Sequence, residues 1–221
     1  MKFPYALMLI ALVGLGSVSF ANDEEGFVSL FDGKSLEHWG DRRGKPVKES
    51  IWKAEDGCMV KVGRGDIYSI KEYKNFDFRF EWKIAPRGNS GVKYRMANYS
   101  NSFVGPEFQV LDDKVRGGSG DPSKNTAASL YDVFGAKDKQ LNPVDQFNSS
   151  RIVANGNNLQ HWLNGKKVVD LDITSDEWKA AISKSKFRKR PDFASKKGKF
   201  MLQDHGAKVW FRNLRIKELP E

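Results

Sequence analysis

The chain has 221 residues, with 37 Lys and Arg against 28 Asp and Glu, a formal charge of +9 and a single cysteine, Cys58. One cysteine excludes an intrachain disulfide, so stability has to come from apolar burial, and the length suits one sizeable core rather than two. Paired-cysteine zinc spacing, a phosphate loop ending in Lys-Ser or Lys-Thr, a His-Glu-x-x-His helix and a Gly-x-Ser-x-Gly elbow are all absent, which removes the commonest metal, nucleotide and serine-hydrolase readings.

Lys2, the uncharged apolar run from Ala6 to Val18 and the small residues of Ser19-Phe20-Ala21 have the three-part form of an export signal. Cleavage after Ala21 is expected, leaving a periplasmic or secreted chain of residues 22–221 that forms one domain. The apolar run is short for a span and is followed by acidic residues, so no membrane span is expected after cleavage. Further along, Gly57-Cys58-Met59-Val60 is apolar, which predicts a buried and inert thiol. Asn75 to Ile84 is the clearest strand, with Phe76, Phe78, Phe80, Trp82 and Ile84 on one face. Val92, Tyr94 and Met96 alternate with Lys93 and Arg95, and Phe108 and Val110 alternate with Glu107 and Gln109.

Residues 117–126, rich in Gly, Ser and Asp, read as a long loop at a sheet rim. Asn157 to Val169 reads as a hairpin turning on Asn164-Gly165. Lysines and arginines crowd residues 179–199, where Trp178, Ile182 and Phe187 can pack one face of a turn or short helix and leave the cations in solvent. Phe200 to Gln203 and Val209 to Ile216 read as a closing strand pair around Asp204-His205-Gly206. Helices long enough for parallel crossovers are missing, so the expected fold is all-β, an antiparallel two-sheet sandwich.

In a sandwich the polar member of each alternating pair faces outward. Glu107 and Gln109 therefore project together, about 7 Å apart along one strand, and Lys93 and Arg95 project alike from another. Neighbouring strands would bring an acid, an amide and two cations to one surface. Among the three histidines, His38 is expected at the surface, His161 partly buried and held by a hydrogen bond, and His205 at a strand end where it can be aimed into a cleft. Asp112, Asp113 and Asp121 could offer oxygen ligands to a divalent cation, although acidic loop residues are commonly solvated turns. No other cofactor is called for.

Six phrases in order carry a resemblance over nearly the whole mature chain. They are Gly26 to Leu36, Tyr73 to Phe78, Gly88-Asn89-Ser90-Gly91-Val92, Gly105 to Asp112, His161-Trp162-Leu163-Asn164-Gly165, and Leu202 to Gly206 with Phe211-Arg212-Asn213. Together they resemble the 3-keto-disaccharide hydrolase family, whose fold is the concanavalin A-like jelly roll. The resemblance implies action on a 3-keto-glucoside or related carbohydrate: proton removal from C2, loss of the C1 substituent by β-elimination, then hydration of the glucal. Such a route needs one base, a donor to the enolate oxygen and an acid for the leaving group, not a glycosidase carboxylate pair.

On that reading either Glu107 or His205 is the base, with the other or a water as acid. Arg95 and Gln109 would stabilise the enolate, and Asn89, Lys93, His161 and Gln203 would contact substrate. Trp162 would stack on the sugar or fill the core, and Arg212 and Asn213 would be structural. Two other readings stay open: a non-catalytic carbohydrate-binding module of the same fold, and an exported basic protein binding polyanions through residues 179–199. The solvated-loop reading of those lysines argues against nucleic acid as partner.

Overall fold

A computed structural model describes residues 25–116 and 123–220. The export signal with its cleavage site, and Asp121, lie outside the described residues. In chain order the strands are β1 (Val28–Ser29), β2 (Trp39–Gly40), β3 (Trp52–Glu55), β4 (Cys58–Lys61), β5 (Ile67–Tyr73), β6 (Phe76–Ile84), β7 (Asn89–Tyr99), β8 (Ser102–Val104), β9 (Glu107–Leu111), β10 (Asn148–Asn155), β11 (Asn158–Leu163), β12 (Lys166–Asp172), β13 (Gly198–Leu202) and β14 (Val209–Glu218).

These strands form two antiparallel sheets, the concanavalin A-like jelly-roll sandwich. The eight-stranded sheet runs β12-β11-β10-β6-β14-β4-β3, with β1 against β14; the six-stranded sheet runs β2-β5-β13-β7-β8, with β9 also on β7. The alternation in β6 determines which face is buried: Phe76, Phe78, Phe80, Trp82 and Ile84 all point into the space between the sheets. There Phe78 meets Phe200 of β13 at 4.4 Å between ring centroids, and Phe80 meets Phe108 of β9 at 5.5 Å. Each such aromatic buries roughly 150–250 Å², which is how one core does without a disulfide. Cys58 is buried and unpaired, and burial pushes its thiol pKa up, as expected of an inert side chain.

The hairpin predicted at Asn164-Gly165 is present between β11 and β12, with φ of +47° and +81° at the two turn residues. The basic segment contains helix α1 (Asp176–Ser183), which starts where Ser175 Oγ accepts the Trp178 amide at 3.1 Å and buries Trp178 and Ile182.

Two expectations need correction. The segments after Phe200 and Val209 do not pair with each other, because β13 sits between β5 and β7 in one sheet while β14 sits between β6 and β4 in the other. The Asp204-His205-Gly206 turn is therefore an arch between sheets, which a local turn signal cannot distinguish from a hairpin. The outward parity of β7 also ends early. Lys93 pairs with Met201 but Met96 pairs with Lys199, so β7 carries one extra residue, and Arg95 takes φ +47° in the resulting bulge.

Candidate active site

The antiparallel register places Lys93 opposite Glu107, Gly91 opposite Gln109 and Asn89 opposite Leu111. On the far side of β7, Met201 pairs with Lys93, and the Gln203 amide donates to the Gly91 carbonyl at 2.9 Å. Glu107, Gln109, Lys93, Asn89 and Gln203 are thus neighbours on the outer face of the six-stranded sheet. The second edge of β9 is covered as well: the Tyr131 amide donates to Glu107 O and the Gln109 amide to Ser129 O. That cover leaves Glu107 only 5% exposed.

The Glu107 carboxylate lies over Gly91, where any added Cβ would stand 2.5 Å from Oε1. Lys93 Nζ stands 3.5 Å from the other oxygen, Oε2. With its amide turned so that nitrogen faces acceptors, Gln109 donates to Glu107 Oε1 at 3.0 Å and to Ser90 O at 3.3 Å. Burial raises the Glu107 pKa above the usual carboxylate range, opposed by the charges of Lys93, Lys186 and His205. A buried carboxylate held between desolvation and nearby cations is a common form of tuned acid or base.

Lys186 is the residue that sequence reading missed. It belongs to the basic segment assigned to solvent, yet its backbone amide is fixed by Asp132 Oδ2 at 2.7 Å and its ammonium sits 4.0 Å from the centre of the Tyr131 ring. The side chain is exposed to solvent, and partial desolvation beside Tyr131 lowers its pKa, with Glu107 pulling the other way. No local pattern separates Lys186 from Lys184 or Lys189: it is solvent-exposed as that segment was expected to be, and its place beside Tyr131 depends on how the loop after α1 folds back.

His205 is exposed on the inter-sheet arch and acts electrostatically on Glu107. Its neighbour Asp204 anchors the arch, taking Lys61 Nζ at 2.5 Å and the Gly65 amide at 2.8 Å. Gln203 Oε1 is buried with no hydrogen-bond partner among the described residues, which leaves an acceptor ready for a donor.

Three candidates lie elsewhere. Arg95 is 1% exposed and ties strands and loops together, donating to Lys74 O, Ala194 O, Asn75 Oδ1 and Gly156 O. The bulge turns it inward, off the outer face that carries Glu107 and Lys93. His161 lies between the sheets at 0% exposure, 3.0 Å from both Tyr94 Oη and Ala128 O, and burial lowers its pKa to about 4. The hydrogen bonding is as expected, but the imidazole is fully buried rather than partly so, which takes it away from any substrate-facing surface. Trp162 neither fills the core nor adjoins Glu107; it is half-buried on the outer face of the eight-stranded sheet.

Asp112 and Asp113 already have partners. Asp112 accepts the Arg87 amide at 2.8 Å and Asp113 pairs with Lys139 at 2.7 Å. Among the described residues no group of three or more His, Cys, Asp or Glu is placed to hold a metal ion, and no helix is long and apolar enough to cross a membrane. Arg212 and Asn213 both bond Glu81, at 2.7 Å each, binding β14 to β6.

A family model for the 3-keto-alpha-glucoside-1,2-lyase-like domain matches residues 26–217. The chain belongs to this family. A curated 3-keto-disaccharide hydrolase from Bacteroides thetaiotaomicron is 28% identical over 240 aligned residues, covering 93% of this chain and 82% of that protein. Two crystal structures from Parabacteroides distasonis, each described as a candidate glycosyl hydrolase, superpose with TM-scores of 0.78 and 0.71 at 33% and 26% identity. They cover 92% and 87% of this chain and 98% and 99% of their own. The catalytic domain of an endo-1,3-beta-glucanase from Thermotoga petrophila, at 9% identity and a TM-score of 0.51 over 85% of this chain and 93% of its own, shares the fold alone. Within this 3-keto-alpha-glucoside-1,2-lyase-like chain, the Glu107 cluster lies inside the matched span.

Proposed function

We propose that this chain is an exported 3-keto-disaccharide hydrolase that works by elimination and hydration, with Glu107 as the base at C2. The observation that carries the reading is the Glu107 carboxyl group, buried and raised in pKa yet flanked by Lys93 and Lys186. A ketone at C3 acidifies the C2 proton. Glu107 takes that proton, and the electron pair moves into the C2–C3 bond as the C3 oxygen becomes an enolate. The ammonium groups of Lys93 and Lys186 supply fixed positive charge where this oxyanion develops. Collapse of the enolate restores the ketone, forms the C1–C2 double bond and expels the C1 oxygen, which takes a proton from His205 or from a water beside it. Water then adds hydroxyl to C1 and a proton to C2, so that the net change is hydrolysis.

A raised pKa strengthens Glu107 as a base, and the charges of the two lysines favour its ionised form. Gln109 orients the carboxylate, while Asn89 and Gln203 offer amides to sugar hydroxyls. The test is turnover of a 3-keto-glucoside and of its unoxidised counterpart by wild type, Glu107→Gln and His205→Ala. Loss of about 10²- to 10⁴-fold is expected for Glu107→Gln, with no wild-type turnover of the unoxidised sugar. Full activity in both variants, or equal cleavage of the unoxidised glucoside, would overturn the proposal.

A further inference from the structure

The outer face of the six-stranded sheet continues past Glu107 toward β2, and the residues there have no part in the reaction assigned above. Register makes one row of Tyr68, Met201, Lys93 and Glu107 across β5, β13, β7 and β9. Ile67 is fully buried in the core, so by alternation Tyr68 points outward, to the same side as Lys93 and Glu107. Asp66 precedes Ile67 and shares that outer side, where its Oδ1 accepts the Asp204 amide at 2.8 Å. The Glu107 carboxylate lies over Gly91 of β7, so two strand spacings, about 10 Å, separate it from β5.

Tyr68 is half-buried and braced. Its ring centre is 6.1 Å from that of Phe103, at an interplanar angle of 49°. Phe103 belongs to β8, which pairs with β7 at Asn98, and it carries the Arg42 guanidinium 3.9 Å from its ring centre. Arg190 Nη2 donates to Ser102 Oγ at 3.0 Å, which ties β8 to the basic segment that also contains Lys186. Phe103 is therefore occupied as a brace, whereas among the described residues the Tyr68 ring meets no ring but that of Phe103. The contact from Tyr68 Oη to Asp66 Oδ2 is long, at 3.4 Å, and leaves both atoms weakly engaged. Burial, and then Asp66, push the phenol pKa up to about 12, so the hydroxyl is a neutral donor.

We propose that Tyr68 is the platform for the second sugar of the substrate, the neutral hexose that leaves from C1, while the oxidised ring sits over Glu107 and Lys93. The proposal rests on the elimination reading above and adds the part of the site that selects the leaving group. A pyranose has an apolar face of C–H bonds, which a braced aromatic ring can cover, and a phenol at the rim can bond a hydroxyl. The separation of β5 from the Glu107 carboxylate is the reach of two linked sugar rings. Asp66 Oδ2 offers an acceptor and the exposed Arg42, which acts electrostatically on Tyr68, offers donors for the remaining hydroxyls. A small alcohol in the leaving position would reach none of these groups, so Tyr68 is a specificity residue and not a catalytic one.

The test compares the 1,1-, 1,4- and 1,6-linked 3-keto-α-glucosyl-glucoses with methyl 3-keto-α-glucoside, which has no second ring. For the best of the three disaccharides, Tyr68→Leu should lower the ratio of its kcat/KM to that of the methyl glucoside about tenfold, through KM. Leucine keeps the apolar bulk on the sheet and removes only the flat ring. Tyr68→Phe keeps the ring and should hold the ratio within about threefold of wild type. Calorimetric titration in the Glu107→Gln background reads the subsite without turnover. There the disaccharide should bind about tenfold more tightly than the methyl glucoside, and adding Tyr68→Leu should remove the difference. If wild type turned over no 3-keto-glucoside, the elimination reading would fall while the same titration still decided the subsite. Equal affinity for disaccharide and methyl glucoside, or a preference indifferent to Tyr68→Leu, would overturn the proposal.

Discussion

Replacing Lys93 by Met isolates the contribution of one cation to Glu107. The ammonium is 3.5 Å from Oε2 and its side chain is 21% exposed. At that separation the attraction is about 1 kcal/mol at the dielectric of water and about 4–5 kcal/mol at an effective dielectric of about 20. With 1.36 kcal/mol per pKa unit, the Glu107 pKa should rise by about one to three units, toward the lower end because solvent reaches the ammonium. A carboxylate base whose pKa rises stays protonated to higher pH, so the acid limb of kcat/KM on a 3-keto-glucoside should move alkaline by the same amount. Lys93→Arg should restore most of the shift. Carbon-13 NMR of labelled glutamate would follow the same titration without depending on turnover. An acid limb and a Glu107 titration both unmoved in Lys93→Met would refute the assignment of Lys93 as the counter-charge.

Gly91→Ala should displace the Glu107 carboxylate, since the new methyl would stand 2.5 Å from Oε1; kcat is expected to fall about 10²-fold, measured beside an unchanged circular dichroism spectrum. Arg95→Met should cost about 3 kcal/mol in urea unfolding, because Lys74 O, Ala194 O and Gly156 O lose a charged donor; activity per folded molecule should stay near wild type, which a catalytic arginine could not allow. His161 should make stability depend on pH. Its folded pKa of about 4 lies below the ordinary 6.5, so the unfolded chain binds the extra proton first as pH falls. About 3 kcal/mol should be lost between pH 6.5 and pH 4 in urea titrations, and His161→Gln should show a correspondingly flatter profile.

Much of the cluster around Glu107 was legible because strand parity is local. Glu107 and Gln109 share a face through period two, and Lys93 joins them once β7 pairs with β9. Arg95 failed the same rule only because a bulge inserts one residue between Lys93 and Met96, and bulges leave no mark in alternation. His161 and Trp162 adjoin in sequence and therefore point to opposite faces of β11, so they could not both belong to one surface. Lys186 was invisible among similar lysines, since charge composition does not say which exposed side chain a loop sets beside Tyr131 and Glu107.

The residues alone settled the fold class, the aromatic face of β6, the Asn164-Gly165 hairpin and the inert Cys58, since each follows from periodicity, turn conformation or the solvation of a single side chain. Tertiary structure decided everything that depends on distant segments meeting. It separated β13 from β14 into different sheets, brought Lys186 to Glu107 from residues far along the chain, and set Tyr68 of β5 in one row with Lys93 and Glu107. The physical reason is the same in each case: backbone preference is local, whereas burial and Coulomb energy depend on which neighbours the sheet register supplies.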